Sequence, residues 1–149
     1  MSFWIVTDAC CDLPVDYIEK QHDLHIVPMS YQIGGKVQEI DLTDVTLAGR
    51  VQSFYDQLED GAVATTFQVN QQEWVDHVTP ILEQGNDVLM LVFSSSLSGM
   101  YQTSVAAEAE LREKYPDRII HTFDTRCASM GEGLLVHYAL AYRDQGHTV

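Results

Sequence analysis

The chain has 149 residues, 46% of them apolar, which is enough for one domain with a hydrophobic core. Its 22 acidic residues against 8 basic ones give a formal net charge of −14, which argues against nucleic acid or an anionic membrane surface as a partner. The longest apolar run, residues 88–93, is too short to span a membrane, and the N-terminus lacks a signal-type stretch. We therefore expect a soluble, cytoplasmic protein without an integral membrane segment.

The cysteines, Cys10, Cys11 and Cys127, are odd in number, and two of them are adjacent. They form no CxxC pair, so they match neither a disulfide framework nor a zinc site. Because buried thiols commonly act as small apolar residues, we expect no metal and no cofactor.

The first half of the chain alternates strand-like and helix-like patterns. Asp12 and Pro14 are typical of a helix start, and Gly34-Gly35 is a hairpin signal. The expected elements are a strand at 3–7, a helix to about His22, a strand at 24–33, an antiparallel return at 36–40, and a helix from Asp41 or Thr43 to about Leu58 whose apolar positions include Val45.

The second half continues the alternation. Residues 61–69 read as a connecting loop, and Asn70 with Glu73 is a capping-box pattern. Ser129 with Glu132 repeats that pattern before the last helix. The expected elements are a helix from 70 to Gly85, a continuously apolar strand at 87–93, a helix from about 99 to 115, a strand at 118–123, and a helix to about Arg143.

This order predicts an α/β fold: a mainly parallel sheet with helices on both faces, in three α/β/α layers. In such sheets ligands bind beyond the carboxyl ends of the strands. That rule places the segments 8–12, 94–99 and 124–129 along one edge, within reach of residues 64–69.

Residues 94–99, Ser-Ser-Ser-Leu-Ser-Gly, carry four hydroxyls between an apolar strand and a helix start. Free amides at a helix start together with hydroxyl donors favour an anion. The loop has no Lys and no GxxxxGK[ST] pattern, which argues against a nucleoside triphosphate. A singly charged carboxylate can be held by neutral donors, and Thr65 and Thr66 would add two more hydroxyls. The alternative is that these serines only cap the helix.

Four segments together resemble the DegV family in order and spacing: TDACCDLP (7–14), ATTFQV (64–69), FSSSLSGMYQTS (93–104) and FDTRCASMGEG (123–133). The third segment is the most specific of the four. The resemblance implies a bacterial protein that binds a long-chain fatty acid without catalysis. It also implies that the protein acts as a carrier, presenting the acid to a fatty acid kinase for phospholipid synthesis.

The resemblance also implies a set of ligand-binding residues. Thr65 matches the threonine that binds the carboxylate, and Thr66 matches its neighbour. One of the pair Ser94 and Ser95 would grip the other carboxylate oxygen. Ser98 and Gly99 match the turn that brings amides to the headgroup. Asp8 and Asp124 match two acidic residues, which we expect to accept hydrogen bonds from turn amides and hydroxyls. Arg126 is a further candidate partner for the carboxylate.

Several positions depart from the family pattern. Cys10 stands where the family has a hydroxyl, residues 67–69 are Phe-Gln-Val instead of Gln-Pro-Ser, and Met100 replaces Thr. These changes bear on the specificity for the acyl chain more than on the binding of the carboxylate.

The resemblance implies that residues 1–149 form the N-terminal domain and that a second domain of similar size is absent from this chain. The last helix is apolar nearly all round, which agrees with a surface that expects a partner. Homodimerisation through that helix is another possibility.

Two other functions remain open. A serine hydrolase could use a nucleophile in the Ser94–Ser98 loop, with Asp124 and His137 or His147. His137 lies among apolar residues, however, and we expect it to be packed. The second alternative is an interaction module with no small ligand, based on the apolar last helix.

Overall fold

A computed structural model describes residues 3–44 and 46–149, so Val45 lies outside the described residues. It contains seven strands and five α-helices within those ranges, and a short 3-10 helix. In chain order these are β1 (Phe3–Asp8), the 3-10 helix (Ala9–Cys11), α1 (Val15–Ile18), β2 (Leu24–Val27), β3 (Met29–Ile33), β4 (Lys36–Ile40), α2 (Leu47–Glu59), β5 (Ala64–Phe67), α3 (Gln71–Glu83), β6 (Asp87–Val92), α4 (Met100–Lys114), β7 (Ile120–Asp124) and α5 (Met130–Asp144).

Four strands form a parallel sheet in the order β2-β1-β6-β7. Successive side chains of β1 point to opposite faces, so Val6 enters the core beneath α3 and α4 whereas Ile5 enters the core beneath α1 and α5. Each face is thus covered by two helices. The predicted three-layer α/β fold is confirmed, and so is the prediction that the run after residue 87 forms a buried inner strand.

A second, antiparallel sheet has the order β4-β3-β5. The single strand predicted at 24–33 is wrong, because Pro28 separates β2, in the parallel sheet, from β3, in the antiparallel one. Proline has no amide hydrogen for a ladder, so the chain changes sheets there. The loop predicted at 61–69 is also wrong, since β5 pairs with β3.

The hairpin predicted at Gly34-Gly35 is confirmed. Both glycines have positive φ, 55° and 76°, as a type I′ turn requires. β4 returns antiparallel to β3, with Tyr31 opposite Gln38.

Two helices are shorter than predicted. α1 ends at Ile18, before His22, and α2 begins at Leu47. Asp41 does not cap α2, because its carboxylate accepts the amide and the hydroxyl of Thr43 in a local turn.

The capping box at the start of α3 is confirmed. Asn70 accepts the amide of Glu73 at 3.1 Å, and the Glu73 carboxylate accepts the amide of Asn70 at 2.7 Å.

The capping box predicted at the start of α5 is wrong. Ser129 has φ 54° and ψ −140° and makes no cap hydrogen bond; its hydroxyl donates to Asp12 at 2.5 Å. Glu132 is instead fully buried and accepts the hydroxyl of Thr7 at 2.9 Å. A buried donor on the sheet, the Thr7 hydroxyl, outcompetes the exposed helix start for this carboxyl.

Glu132 lies close enough to the buried carboxyl of Asp8 for the charge of Asp8 to act on it. Burial, followed by the charge of Asp8, raises the pKa of Glu132 to about 9. Burial also raises the pKa of Asp8, but this carboxylate accepts the amides of Cys10 and Phe93, which favour its charged form. The proton of this pair therefore resides on Glu132 at neutral pH, because its pKa lies well above 7.

The outer face of α5 is apolar and exposed. Met130, Leu134, Tyr138 and Tyr142 follow one another at four-residue intervals, and each is about half exposed, between 50% and 58%. The exposed apolar surface predicted for the last helix is therefore present. No helix in the described part of the chain combines the length and apolarity needed to cross a membrane.

Glycine permits the close approach of α5 to the 3-10 helix. A Cβ atom on Gly133 would lie 2.6 Å from the backbone oxygen of Cys11 and 3.1 Å from the Leu13 side chain. Because backbone cannot swing aside, a larger residue must displace the helix.

We predict that Gly133→Ala lowers the free energy of unfolding by about 1–3 kcal/mol through this overpacking. Gly131→Ala is the matched control, since its Cβ would meet only the Cys127 side chain, at 3.3 Å. Helix propensity alone would make both changes favourable by up to about 1 kcal/mol. Denaturant unfolding of the two variants measures the difference, and equal stabilities would contradict the prediction.

We predict that Glu132→Gln stabilises the protein, because glutamine keeps an acceptor for the Thr7 hydroxyl and is neutral without a proton. The folded pKa of Glu132 is raised, so its contribution to stability is complete below about pH 4.5 and is lost as the pH rises through about 9. The advantage of Glu132→Gln should therefore grow over that window, reaching up to about 3 kcal/mol near pH 7.

Unfolding free energies measured from pH 4 to 9 test this pH dependence. Glu132→Ala should be destabilised at every pH, because Thr7 loses its acceptor and a cavity remains. A gap between wild type and Glu132→Gln that does not change with pH would refute the assignment of the proton.

Candidate functional site

A cavity of about 530 Å³ lies at the edge of the parallel sheet where the strands end, and we call it the edge cavity. The segments after β1 and β6, the start of α4 and the end of β5 meet there, whereas the predicted segment 124–129 contributes no residue to the lining. None of the side chains that line the edge cavity is charged: Cys10, Met29, Thr66, Gln68, Phe93, Leu97, Ser98, Gly99 and Met100.

Two of the predicted serines form hydrogen bonds within the protein. Ser94 is buried, and its hydroxyl accepts the amide of Ser96 at 3.2 Å. Ser95 donates its hydroxyl to Asp124 at 2.5 Å and its amide to the same carboxylate at 3.0 Å. Neither serine lines the edge cavity, so both stabilise the loop without facing the cavity.

Ser98 and Gly99 face the edge cavity, as predicted. The Ser98 hydroxyl accepts the amide of Met100 at 3.2 Å and donates to the Gln68 side-chain oxygen at 3.3 Å. A Cβ on Gly99 would lie only 2.9 Å from that same oxygen, so glycine lets Gln68 approach the loop. No bond of the described residues uses the Gly99 amide, which leaves a donor at the positive end of α4.

The two threonines of β5 point to opposite faces of the antiparallel sheet. Thr66 pairs with Tyr31 and Thr65 pairs with Gln32, and cross-strand partners share a face. Thr66 lines the edge cavity, whereas Thr65 does not. The structure thus brings the neighbouring threonine, not the one that the motif match singled out, to the other site residues.

Thr66 also lines a second cavity of about 320 Å³ between α2 and the antiparallel sheet, which we call the α2 cavity. Its walls are mainly apolar and aromatic. They are formed by Asp12, Tyr31, Ile40, Leu42, Leu47, Arg50, Val51, Phe54, Tyr55 and Thr66.

The two aspartates form the expected bonds to loop groups. Asp8 accepts the amides of Cys10 and Phe93, both of which line the edge cavity. Burial pushes the pKa of Asp124 upward, but hydrogen bonds from Ser95 and the Arg126 amide outweigh it and lower that pKa overall. The Arg126 side chain is 83% exposed and lies 3.8 Å from Asp124, so it does not line the edge cavity.

The predicted hydrolase triad is not assembled in the described residues. His137 is exposed, not packed as expected, and its ring nitrogen lies 2.8 Å from the hydroxyl of Tyr17. The ring of His147 packs against Tyr142. Ser95 meets Asp124 directly, with no histidine between them to act as a base.

The cysteines do not form a reactive or metal-binding cluster. The thiol of Cys10 lies 3.0 Å from the Met29 sulfur. Burial raises the pKa of Cys10, with the charges of Asp8 and Glu132 adding to it, and burial raises the pKa of Cys11 to about 12. Both remain thiols at neutral pH. Residues 3–44 and 46–149 contain no group of three potential metal ligands.

Sequence patterns missed two parts of this site. Gln68 was noted only as a departure from the motif, although it bridges to Ser98. No sequence pattern predicted the α2 cavity, because one of the strands that line it, β5, was predicted to be a loop.

Comparison with known proteins places the chain in a family. The family model described as "Uncharacterised protein, DegV family" matches residues 2–149. A DegV domain-containing protein of Clostridium perfringens is 38% identical over 148 residues, covering 99% of this chain and 50% of that protein. The chain spans about half the length of the curated relatives it matches.

Solved structures agree in fold. A stearic acid-binding protein from Eubacterium ventriosum matches with a TM-score of 0.84 and 27% identity, over 98% of this chain and 49% of that one. A fatty-acid-binding DegV family protein from Thermus thermophilus matches with a TM-score of 0.80 and 27% identity, over 100% of this chain and 50% of that one. This chain belongs to the DegV family.

Proposed function

We propose that the protein binds a long-chain fatty acid, with the carboxylate in the edge cavity and the acyl chain in the α2 cavity. The observation that carries this proposal is that the two cavities differ in character and share one residue, Thr66. An amphiphile needs such a junction between hydrogen-bond donors and an apolar wall. Each cavity volume lies within the range of about 300–1,000 Å³ that small-ligand sites occupy.

Neutral donors hold the carboxylate in this proposal. Thr66, Gln68, Ser98 and Gly99 line the edge cavity, and the donors that they offer are two hydroxyls, a side-chain amide and a backbone amide. The N-terminal end of α4 adds a partial positive charge, which offsets the field of a chain with net charge −14. Ser94, Ser95, Asp8 and Asp124 hold the loops that present these donors.

Apolar burial supplies most of the affinity for the acyl chain. Each buried methylene contributes about 0.8 kcal/mol, so a chain that fills the α2 cavity outweighs the one or two hydrogen bonds at its head. Several of the walls are exposed, among them Val51 at 44% and Tyr55 at 57%, so part of a bound chain stays in contact with solvent.

We also propose that the protein is a non-catalytic carrier that presents the acid to a fatty acid kinase for phospholipid synthesis. Its support is the motif resemblance together with the fatty acids named for its structural neighbours. In this proposal residues 1–149 are the headgroup-binding domain. A second domain of the kind found in longer relatives would then cover more of the acyl chain.

The exposed apolar face of α5 is suited to packing against another protein surface. Met130, Leu134, Tyr138 and Tyr142 make a continuous apolar stripe, which proteins rarely leave uncovered. We propose that this stripe packs against the second domain or, in its absence, against another copy of the chain. Light scattering after size exclusion separates the two, because a monomer would exclude the homodimer.

The first test of fatty-acid binding is native mass spectrometry of the purified protein, with extraction of the bound lipid. A co-purified long-chain acid, or loading by added acid, is the expected result. A protein that neither carries nor takes up any acid would refute the proposed function.

We predict that Thr66→Val weakens fatty-acid binding about tenfold to a hundredfold, because the carboxylate loses a charge-assisted hydrogen bond. Thr65→Val is the matched control: it lies next along β5 and faces away from the cavity, so binding should stay at the wild-type level. Titration with a fluorescent fatty acid gives both constants, and unfolding curves confirm intact folds. A larger loss in Thr65→Val would restore the assignment made from the motif.

A further inference from the structure

We propose that the aromatic pair Tyr31 and Phe54 closes one end of the α2 cavity and thereby sets the acyl-chain length that the protein prefers. The inference rests on the proposed function and deepens it. It assigns a specificity-determining role to Phe54 of α2.

The side chains of strand β3 show how the two cavities follow one another along the sheet. Its side chains on one face are Met29, Tyr31 and Ile33, at alternate positions. Met29 lines the edge cavity and Tyr31 lines the α2 cavity, whereas Ile33 is 1% exposed and lines neither. Two residues advance a strand by roughly 6.6 Å, so the open path ends within one such step beyond Tyr31.

Tyr31 and Phe54 together make the wall at that end. Their ring centroids lie 5.0 Å apart with an interplanar angle of 85°, an edge-to-face contact. Tyr31 is fixed by the sheet: it is 7% exposed, and its hydroxyl donates to Gln38 at 2.8 Å. Phe54 comes from the other side, on α2, and is only partly buried.

Phe54 is the part of the wall that can be changed without disturbing the sheet. No residue of α2 is fully buried, so the helix adds little to the core. Its neighbour Tyr55, whose ring centroid lies 5.4 Å from that of Phe54, is 57% exposed and also lines the cavity. The Phe54 ring thus contacts both Tyr31 and Tyr55 at the wall of the α2 cavity.

Such a wall sorts fatty acids by length. Each additional methylene that fits inside raises affinity about fourfold, whereas a methylene beyond the wall must fold back or displace the ring. Affinity should therefore climb with chain length and then stop climbing. The length at which it stops depends on the size of residue 54.

The experiment offers the protein an equimolar ladder of even-numbered saturated acids, from decanoic to octadecanoic acid, and reads the bound acids by native mass spectrometry. We expect Phe54→Ala to move the preferred length upward and Phe54→Trp to move it downward. Phe54→Leu, which keeps an apolar contact on Tyr31, should move it upward by less. Because adjacent ladder members differ by two methylenes, their bound ratio should change about fifteenfold.

Phe123→Ala is the matched control. Phe123 is an exposed phenylalanine on β7 that lines neither cavity, so its loss should leave the ladder unchanged. Variants that shift no preference, or that weaken all lengths equally, would overturn the role of Phe54 while a loaded wild type keeps the proposed function intact. A wild type that binds no acid of the ladder would overturn both. Circular dichroism identifies a variant that fails to fold, and opposite shifts in Phe54→Trp and Phe54→Leu then still decide the question.

Discussion

The buried carboxylate of Asp8 is the interaction on which the rest of the site depends. One of its oxygens accepts the amide of Cys10 and the other accepts the amide of Phe93, so it ties the ends of β1 and β6 together. Its charge also contributes to keeping Glu132 of α5 protonated, because it raises the pKa of that carboxyl. A single anion thus holds two strand ends and a helix, and the walls of the edge cavity are built on residues that it bonds. Removing its charge would loosen three elements together.

In the proposed function, an acidic protein would hold an anion without a basic side chain. A lysine or arginine in the edge cavity would bind a phosphate or a carboxylate alike, whereas neutral hydroxyls and amides suit a singly charged group. The serines that do not touch the cavity still matter, because Ser95 donates its hydroxyl and its amide to Asp124, whose carboxylate does not line the cavity. In a hydroxyl-rich loop of this kind, some side chains line the cavity and others stabilise the loop itself.

The sequence predicted the parallel sheet, its helices and the edge at which the site lies, because these follow from apolar periodicity and strand order. It did not separate β2 from β3 at Pro28, nor did it recognise β5, since four residues with two exposed threonines carry almost no apolar pattern. That strand decides which of Thr65 and Thr66 faces the cavity, as a shift by one residue exchanges the faces. Likewise, the local capping pattern at Ser129 could not reveal that Glu132 has a buried partner 125 residues away along the chain, Thr7.

If an acyl chain binds beneath helix α2 as proposed, the stability of the protein depends on its ligand content. It covers the α2 cavity without burying any residue of its own fully, so an acyl chain beneath it would supply contacts that the protein alone does not provide. A ligand that binds only the folded state raises the free energy of unfolding with the logarithm of its concentration. A preparation that carries lipid in part of its molecules would then melt in two steps, and the height of the upper step would report the loaded fraction.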